Sequence, residues 1–469
     1  MQLPISNTEP TLWADIKASI AGNDQDFTEG RLGRAILLLS IPMVLEMAME
    51  SVFAIVDIFF VSRLGADAVA TVGITESLIT IVYAIGIGLS MGTTAMVARR
   101  IGEKDKIGAA KSAVQAIIVG FLVSLPISLL GIFYAKDLLR LMGAEPIIVE
   151  TMYSYTTIMI GGNVVIMLLF VINAIFRGAG DAAISMRVLW LANGLNIILD
   201  PILIFGIGFI PGFGIKGAAI ATFIGRGIGV LYQLYLLSKN QTRITIIKET
   251  LVVQWDIMKR LIRLSLGGIG QFIIATSSWI GLVRILAEFG SITVAGYTIA
   301  IRIFIFSILP SWGMSNAAAT LVGQNLGAKK PDRAEKSVWT TAIVNMIFLS
   351  MVGITFYIFA DSLIALFSKD PEIIRIGAQC LRIISYGYVA YAFGMIIIQA
   401  FNGAGDTTTP TIINFICFWM IEIPLAYVLA MEFGLKQDGV FYAIVVAESL
   451  LGVIGFVIFR QGKWKKIDV

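Results

Sequence analysis

Gly178-Ala179-Gly180-Asp181 recurs as Gly403-Ala404-Gly405-Asp406, and the 225-residue offset between the copies carries much of the remaining chain into register without a gap. At that offset Ser40 meets Ser265, Gly65 meets Gly290, Val69-Ala70 meet Val294-Ala295 and Ser90 meets Ser315. Further along, Val97, Gly102, Lys104, Lys111, Ser112 and Pro146 meet Val322, Gly327, Lys329, Lys336, Ser337 and Pro371. A tetrapeptide repeated by chance would not bring these matches with it, so one unit is written twice. Such a duplication inside an apolar chain points to a transporter made of two related bundles.

The chain is 57% hydrophobic and 14% charged, and its apolar runs exceed the roughly 18 residues that mark membrane helices. It is expected to be an all-α integral membrane protein, multi-pass in the inner (plasma) membrane, with the lipid bilayer as its solvent. The net charge of +4 does not indicate nucleic acid, because Lys and Arg fall in short loops between apolar spans rather than in one patch. The chain has no histidine, and Cys380 and Cys417 both sit in apolar stretches. Neither a disulfide framework nor a soft-metal site is expected, and no nucleophile with an evident base suggests an enzyme. No cofactor is expected.

Apolar segments lie near 34–62, 69–98, 112–135, 150–176, 184–208 and 217–238, and again near 258–287, 293–323, 337–360, 373–401, 411–433 and 439–459. The expectation is twelve transmembrane helices in two pseudo-symmetric six-helix lobes. Six is even, so both lobes enter the membrane from the same side and the repeats are parallel, related by an axis along the membrane normal. The expected organisation is a cytoplasmic N-terminal tail (1–30), an N-lobe (31–238), a cytoplasmic linker (239–257), a C-lobe (258–460) and a C-terminal tail (461–469). The first 30 residues lack a sustained apolar core and do not resemble a cleaved signal peptide. Most Lys and Arg fall in the tails and even-numbered connections, which puts both termini in the cytoplasm.

The first span carries Glu46, Glu50 and Asp57, whose spacings of 4 and 7 put them on one helix face. That stripe is about 16 Å long at 1.5 Å per residue. An acid within the bilayer costs roughly 2.5–3.5 kcal/mol on insertion scales, so the stripe must face the bundle interior or water. In the fifth span, Asn196 and Asp200 are one turn apart, and Pro201 deprives the Ile197 carbonyl of its helical donor. Carboxylate, amide oxygen and free carbonyl form a hard-oxygen set for a proton or Na+. Capping or kinking is the structural alternative for the same string.

Comparing the lobes locates the chemistry. Glu46, Glu50 and Asp57 correspond to Gln271, Ala275 and Leu282, while Asn173, Asn196 and Asp200 correspond to Ile398, Ile421 and Leu425. The second lobe holds Glu422 and Glu448 instead, opposite Ile197 and Phe223. Arg226, Arg284 and Arg302 lie within spans and are candidates to neutralise these acids. The GxGD pattern also occurs in intramembrane aspartyl proteases, but their partner Tyr-Asp dipeptide is missing here. Both copies are therefore expected to form tight turns with glycine in the left-handed region.

These residues resemble the multidrug and toxic compound extrusion (MATE) family over about 31–460. The resemblance rests on the duplicated twelve-span plan, the turns Arg177-Gly178-Ala179-Gly180-Asp181 and Asn402-Gly403-Ala404-Gly405-Asp406-Thr407, and the Val97…Gly102 and Val322…Gly327 stretches. The DinF-type branch of that family has a cation site in its N-lobe. The resemblance implies that Asp57, Asn173, Asn196, Asp200 and Thr222 of Gly217-Ala218-Ala219-Ile220-Ala221-Thr222 form it here, with Na+ possible at Asp57, Asn196 and Asp200. The other bacterial branch uses acids on spans seven and ten, where this chain offers Gln271, Ala275 and Tyr391.

The expected function is secondary antiport: export of small amphipathic, cationic organic compounds in exchange for H+ or Na+, by alternating access of a monomer. Met43, Met47, Phe53 and Trp312 are candidates for the apolar wall of the substrate cavity, with Glu46 and Glu50 attracting cations. The alternative is a flippase of the same superfamily for lipids or lipid-linked oligosaccharides. Such a protein should line its cavity with Arg and Lys to meet anionic head groups.

Overall fold

The computed structural model describes residues 12–22, 25–208, 210–239 and 242–468. The tails and linker expected at 1–30, 239–257 and 461–469 lie partly outside these described residues. A short helix α1 (Leu12–Ala21) precedes the first lobe, made of α2 (Leu32–Ser62), α3 (Ala66–Gly102), α4 (Lys106–Leu141), α5 (Pro146–Thr151), α6 (Tyr153–Gly161), α7 (Asn163–Ala179), α8 (Ala182–Phe205) and α9 (Ile215–Ser238). The second comprises α10 (Trp255–Ala287), α11 (Ser291–Gly327), α12 (Pro331–Ala365), α13 (Pro371–Ser385), α14 (Tyr388–Ala404), α15 (Thr408–Asn414), α16 (Ile423–Tyr427) and α17 (Gln437–Arg460). Among the described residues, ten helices are long and apolar enough to cross a membrane, or eleven with α13–α14 taken as one bent span. Helix α2, 31 residues long and interrupted by three acids, completes the twelve.

Helix ends repeat as the sequence does. Gly180 and Gly405 both have φ of 90° and end α7 and α14. In each turn the amide after the glycine bonds back to a carbonyl five residues earlier: Asp181 to Phe176 at 2.8 Å, Asp406 to Phe401 at 2.9 Å. This Schellman closure needs a left-handed residue, which glycine supplies without a Cβ clash. Lys104 and Lys329, with φ of 61° and 57°, form a second matched pair at the same offset.

Spans four and ten are not the continuous helices that apolar length suggests. Span four breaks at Gly162 between α6 and α7, and span ten bends by 59° between α13 and α14, around Gly387. Gly162 and Gly387 are themselves equivalent by the offset. The lobes then part company. A two-residue hairpin (Gly206–Ile207 with Ile210–Pro211) joins α8 to α9, a small departure from all-α. The eleventh span contains π-helical stretches at Phe415–Glu422 and Val428–Glu432, whereas its counterpart α8 stays α-helical through Pro201.

The lobes meet mainly where α3 packs on α10 and α11, and α2 on α11. A Cβ on Gly102 would stand 2.0 Å from the carbonyl oxygen of Gln324, and one on Gly327 would stand 2.1 Å from that of Arg99. These contacts interchange under the 225-residue offset, as a two-fold axis between parallel repeats requires. The repeated tetrapeptides sit in the same closure: Gln324 donates to the Gly178 carbonyl at 2.9 Å and Arg99 to the Ala404 carbonyl at 3.3 Å. The lobes are thus sealed at the end of the bundle that carries the basic loops after α3 and α11.

Candidate functional site

Between the lobes lies a cavity of about 210 Å³. Its walls come from α2, α3, α7, α8 and α9 on one side and α11 and α14 on the other. Glu46, Met47, Glu50 and Trp312 line it, and so does Asn173. Met43 does not. It is 1% exposed and packs in the α2–α11 seam, where its backbone faces Gly313, so it belongs to the lobe contact rather than to a substrate wall. Phe53 is also outside the lining; the Arg226 guanidinium stands over its ring at 5.5 Å.

Two of the three acids of α2, Glu46 and Glu50, have partners. Arg177 of α7 donates to Glu46 Oε1 at 3.0 Å, with side-chain exposures of 11% and 1%. Glu50 accepts from Asn193 at 2.9 Å and lies 3.5 Å from Arg226. The cavity therefore holds paired charges: Glu46 and Glu50, the glutamates expected to attract cations, each face an arginine. Arg177 could not be recognised from sequence because it is part of the repeated turn, where its counterpart is Asn402. Of the other in-span arginines, Arg284 is 81% exposed and reaches only Glu288 at 3.9 Å, while Arg302 acts on Glu76 of α3. Gln399, Asn316 and Asn402 add polar surface from the second lobe. Sequence reasoning passed over them because isolated amides in apolar helices carry no motif.

Deeper in the first lobe, α8 and α9 bring Asn196, Asp200 and Thr222 together. The Asn196 amide satisfies both neighbours when Nδ2 donates to Asp200 Oδ2 at 2.9 Å and Oδ1 accepts from the Thr222 hydroxyl at 3.0 Å and amide at 2.9 Å. Close approach of these helices is possible because Gly225 faces the Ala192 carbonyl with no side chain between. Asp200 is fully buried and its Oδ1 has no hydrogen-bond partner. Asp57 lies within electrostatic reach of Asp200 and also of Glu76 and Arg226. Asn173 stands apart from this trio, its side-chain oxygen accepting from Gln233 at 2.6 Å. An orphaned, buried carboxylate oxygen beside an amide and a hydroxyl suits a proton or a small hard cation, since leaving it charged and unpaired costs several kcal/mol at least, on the order of a buried ion's desolvation.

Two parallel six-helix lobes closing on a largely apolar cavity, with paired charges in its wall and a buried acid behind it, define a polytopic membrane transporter. The chain belongs to the MatE family, whose signature it matches at residues 42–202 and 269–428. It is 26% identical over 433 residues to the "Probable multidrug resistance protein NorM" of Thermotoga maritima, which covers 92% of this chain and 93% of that one. It is likewise 26% identical over 425 residues to the "FAD transporter" of Shewanella oneidensis, covering 90% of this chain and 93% of that one. The solved structure described as the "Outward-facing conformation of a multidrug resistance MATE family transporter of the MOP superfamily" superposes with a TM-score of 0.87 at 28% identity, covering 94% of this chain and 98% of that one.

Proposed function

We propose that this protein is a secondary antiporter that exports small amphipathic, chiefly cationic organic compounds in exchange for H+ or Na+. Its relatives and its fold support export by alternating access, and the N-lobe acids support the DinF-type branch. We take the basic end as cytoplasmic, with both termini there, so that the sealed lobe contact closes the cavity to the cytoplasm. A monomer suffices in this reading, because one chain forms the whole cavity.

The observation that carries the proposal is the unpartnered Oδ1 of Asp200, whose Oδ2 accepts from Asn196, itself held by Thr222; the equivalents in the other lobe are Leu425, Ile421 and Ala447. Asp57 and Asp200 repel one another while both are ionised. A proton or Na+ arriving between them removes that repulsion, with the Asp200 and Asp57 carboxylates as its oxygen donors and the Asn196 amide holding Asp200 in place. Binding can favour a conformation only through such a difference in affinity between the two forms. Substrate release then follows from the shift in population, with α2 and α8 as the helices that connect the acids to the cavity.

A flippase for anionic lipid carriers would need uncompensated Arg or Lys along the cavity. The two arginines in its wall, Arg177 and Arg226, each face a glutamate. This disfavours the flippase reading.

The test is Asp200→Asn in proteoliposomes under an imposed proton or sodium gradient. Gradient-driven export of a cationic dye should fall by about 10- to 100-fold, the range for losing a supporting or coordinating group at an ion site. Export at the wild-type rate would sink the proposal. Imposing the two gradients separately identifies the coupling ion.

A further inference from the structure

The C-lobe contains a second acidic centre that the N-lobe mechanism does not use. Glu422 ends the π-helical stretch of span eleven and is 2% exposed, and its Oε2 has no hydrogen-bond partner. Glu448 belongs to α17, which packs against this stretch, and Glu422 is the charge that acts on it. Ser278 of α10, whose hydroxyl donates to the Ala275 carbonyl at 2.9 Å, lies beside Glu422. The remaining titratable groups that face the pair are Tyr297 of α11, Tyr391 of α14 and Cys417. Among the described residues, no arginine or lysine is a charge acting on either glutamate.

Position within the repeat gives this pair its meaning. Spans eleven and twelve are the counterparts of α8 and α9, the helices that hold Asp200 and Thr222. The exact equivalents of Asp200 and Thr222 are Leu425 and Ala447, both apolar. Glu422 lies three residues before Leu425, and Glu448 is next to Ala447. The π-helical stretch changes the helical phase just there, a feature frequent at functional sites. The C-lobe thus rebuilds an acid-bearing crevice between the same two spans from different positions.

We propose that Glu422 and Glu448 form a second exchangeable cation site, which takes a proton or Na+ between spans eleven and twelve. Two carboxylates confined together with no basic partner cannot both be charged in a low-dielectric interior, so at least one positive charge must be held between them. Ser278 supplies a hydroxyl, and Glu422 Oε2 supplies the vacant acceptor. This goes beyond the N-lobe coupling proposed above, and its binding test does not depend on that coupling.

The experiment uses purified full-length protein carrying Asp57→Asn and Asp200→Asn, so that the coupling pair of the N-lobe is silent and the remaining N-lobe acids, Glu46, Glu50 and Glu76, are common to every variant compared. Infrared difference spectra follow protonated carboxyl groups as pH is changed, and as Na+ is added at fixed pH. The expected result is a carboxyl band that titrates in this background and is lost on adding Glu422→Gln, or Glu448→Gln should the first variant fold poorly. Loss of the band on adding Na+ identifies a sodium site, and insensitivity to Na+ identifies a proton site. A background that shows no titrating carboxyl, or one whose band survives both glutamine substitutions, overturns the proposal. Failure of the N-lobe reading would instead appear as undiminished export by the Asp200→Asn protein.

Discussion

Glu46 and Arg177 lie 131 positions apart in the chain, yet they share a hydrogen bond of 3.0 Å in the wall of the cavity. Their helices, α2 and α7, approach only through the bundle's packing, so no local pattern announces the pair. Glu46 Oε2 has no partner of its own, which makes its neutralisation depend on Arg177. Removing one member of a buried ion pair costs about 3–5 kcal/mol, because the other charge stays behind. Arg177→Met should therefore lower the thermal melting point sharply in detergent, and adding Glu46→Gln should restore most of the loss. Equal destabilisation in the single and double variants would show that Arg177 acts by packing alone. Asn196, Asp200 and Thr222 were more legible in the sequence. Asn196 and Asp200 share a helix face, and Thr222 came from a family motif, so short-range information was enough. Asn173 came from the same family resemblance, through its place before the fourth-span turn, and its side chain lies against Gln233.

At the scale of elements, the lobes are joined by glycine-mediated backbone contacts. Gly102 rests on the Gln324 carbonyl and Gly327 on that of Arg99, at separations that admit no Cβ. Because the opposing atoms are backbone, no side chain can rotate away to make room. Gly102→Ala should destabilise the sealed form by at least about 1–3 kcal/mol, the usual cost of overpacking. The population would shift toward a form parted at the basic end. Spin-label distances between the C-termini of α3 and α11 should lengthen in Gly102→Ala and in Gly327→Ala alike. An unchanged distance in both would mean that the seal is set elsewhere. Sequence reading found both glycines as matched positions in the repeat. It could not find that each faces the other lobe, because the repeat register describes likeness and not proximity. The breaks of spans four and ten were hidden for a related reason: apolar length measures how far a helix can run, not where a glycine lets it bend.

Across the whole molecule, each terminal segment reaches the lobe it does not belong to. Arg333 of α12 donates to the carbonyls of Glu29 at 2.8 Å and Gly30 at 2.9 Å, and Lys330 donates to that of Thr28 at 3.0 Å. In return Arg99 of α3 donates to the carbonyl of Ile467 at 2.6 Å. This reciprocal latch spans the sealed end. Charged hydrogen bonds of this kind contribute about 1.5–3 kcal/mol each, so Arg333→Ala should favour opening there by roughly tenfold or more. A cysteine introduced by Asn316→Cys in the cavity should then react faster with a thiol reagent applied from the basic side. No change in that rate would remove the latch from the opening equilibrium. Burial acts against the Asp26 carboxylate, but the Thr28 hydroxyl and amide, with Lys104 and Lys330, outweigh it and hold its pKa below the usual carboxylate value. A depressed carboxylate contributes its stability above the unfolded pKa and loses it as pH falls through the folded one. The Asp26 part of the latch therefore persists through mild acid and weakens only below the ordinary aspartate range.

By itself the sequence determined the membrane class, the duplication, the parallel lobes and the side of the duplication on which the acids of α2 and α8 were kept. These follow from composition, period and register, which are properties of the chain read in one dimension. Tertiary structure alone decided which charges are neutralised, that Met43 belongs to a seam and not to the cavity, and that Glu422 is buried with one carboxylate oxygen unpartnered. Those outcomes depend on which helix faces meet. In a bundle where nearly every face is apolar, hydropathy does not distinguish one meeting from another, and only packing does.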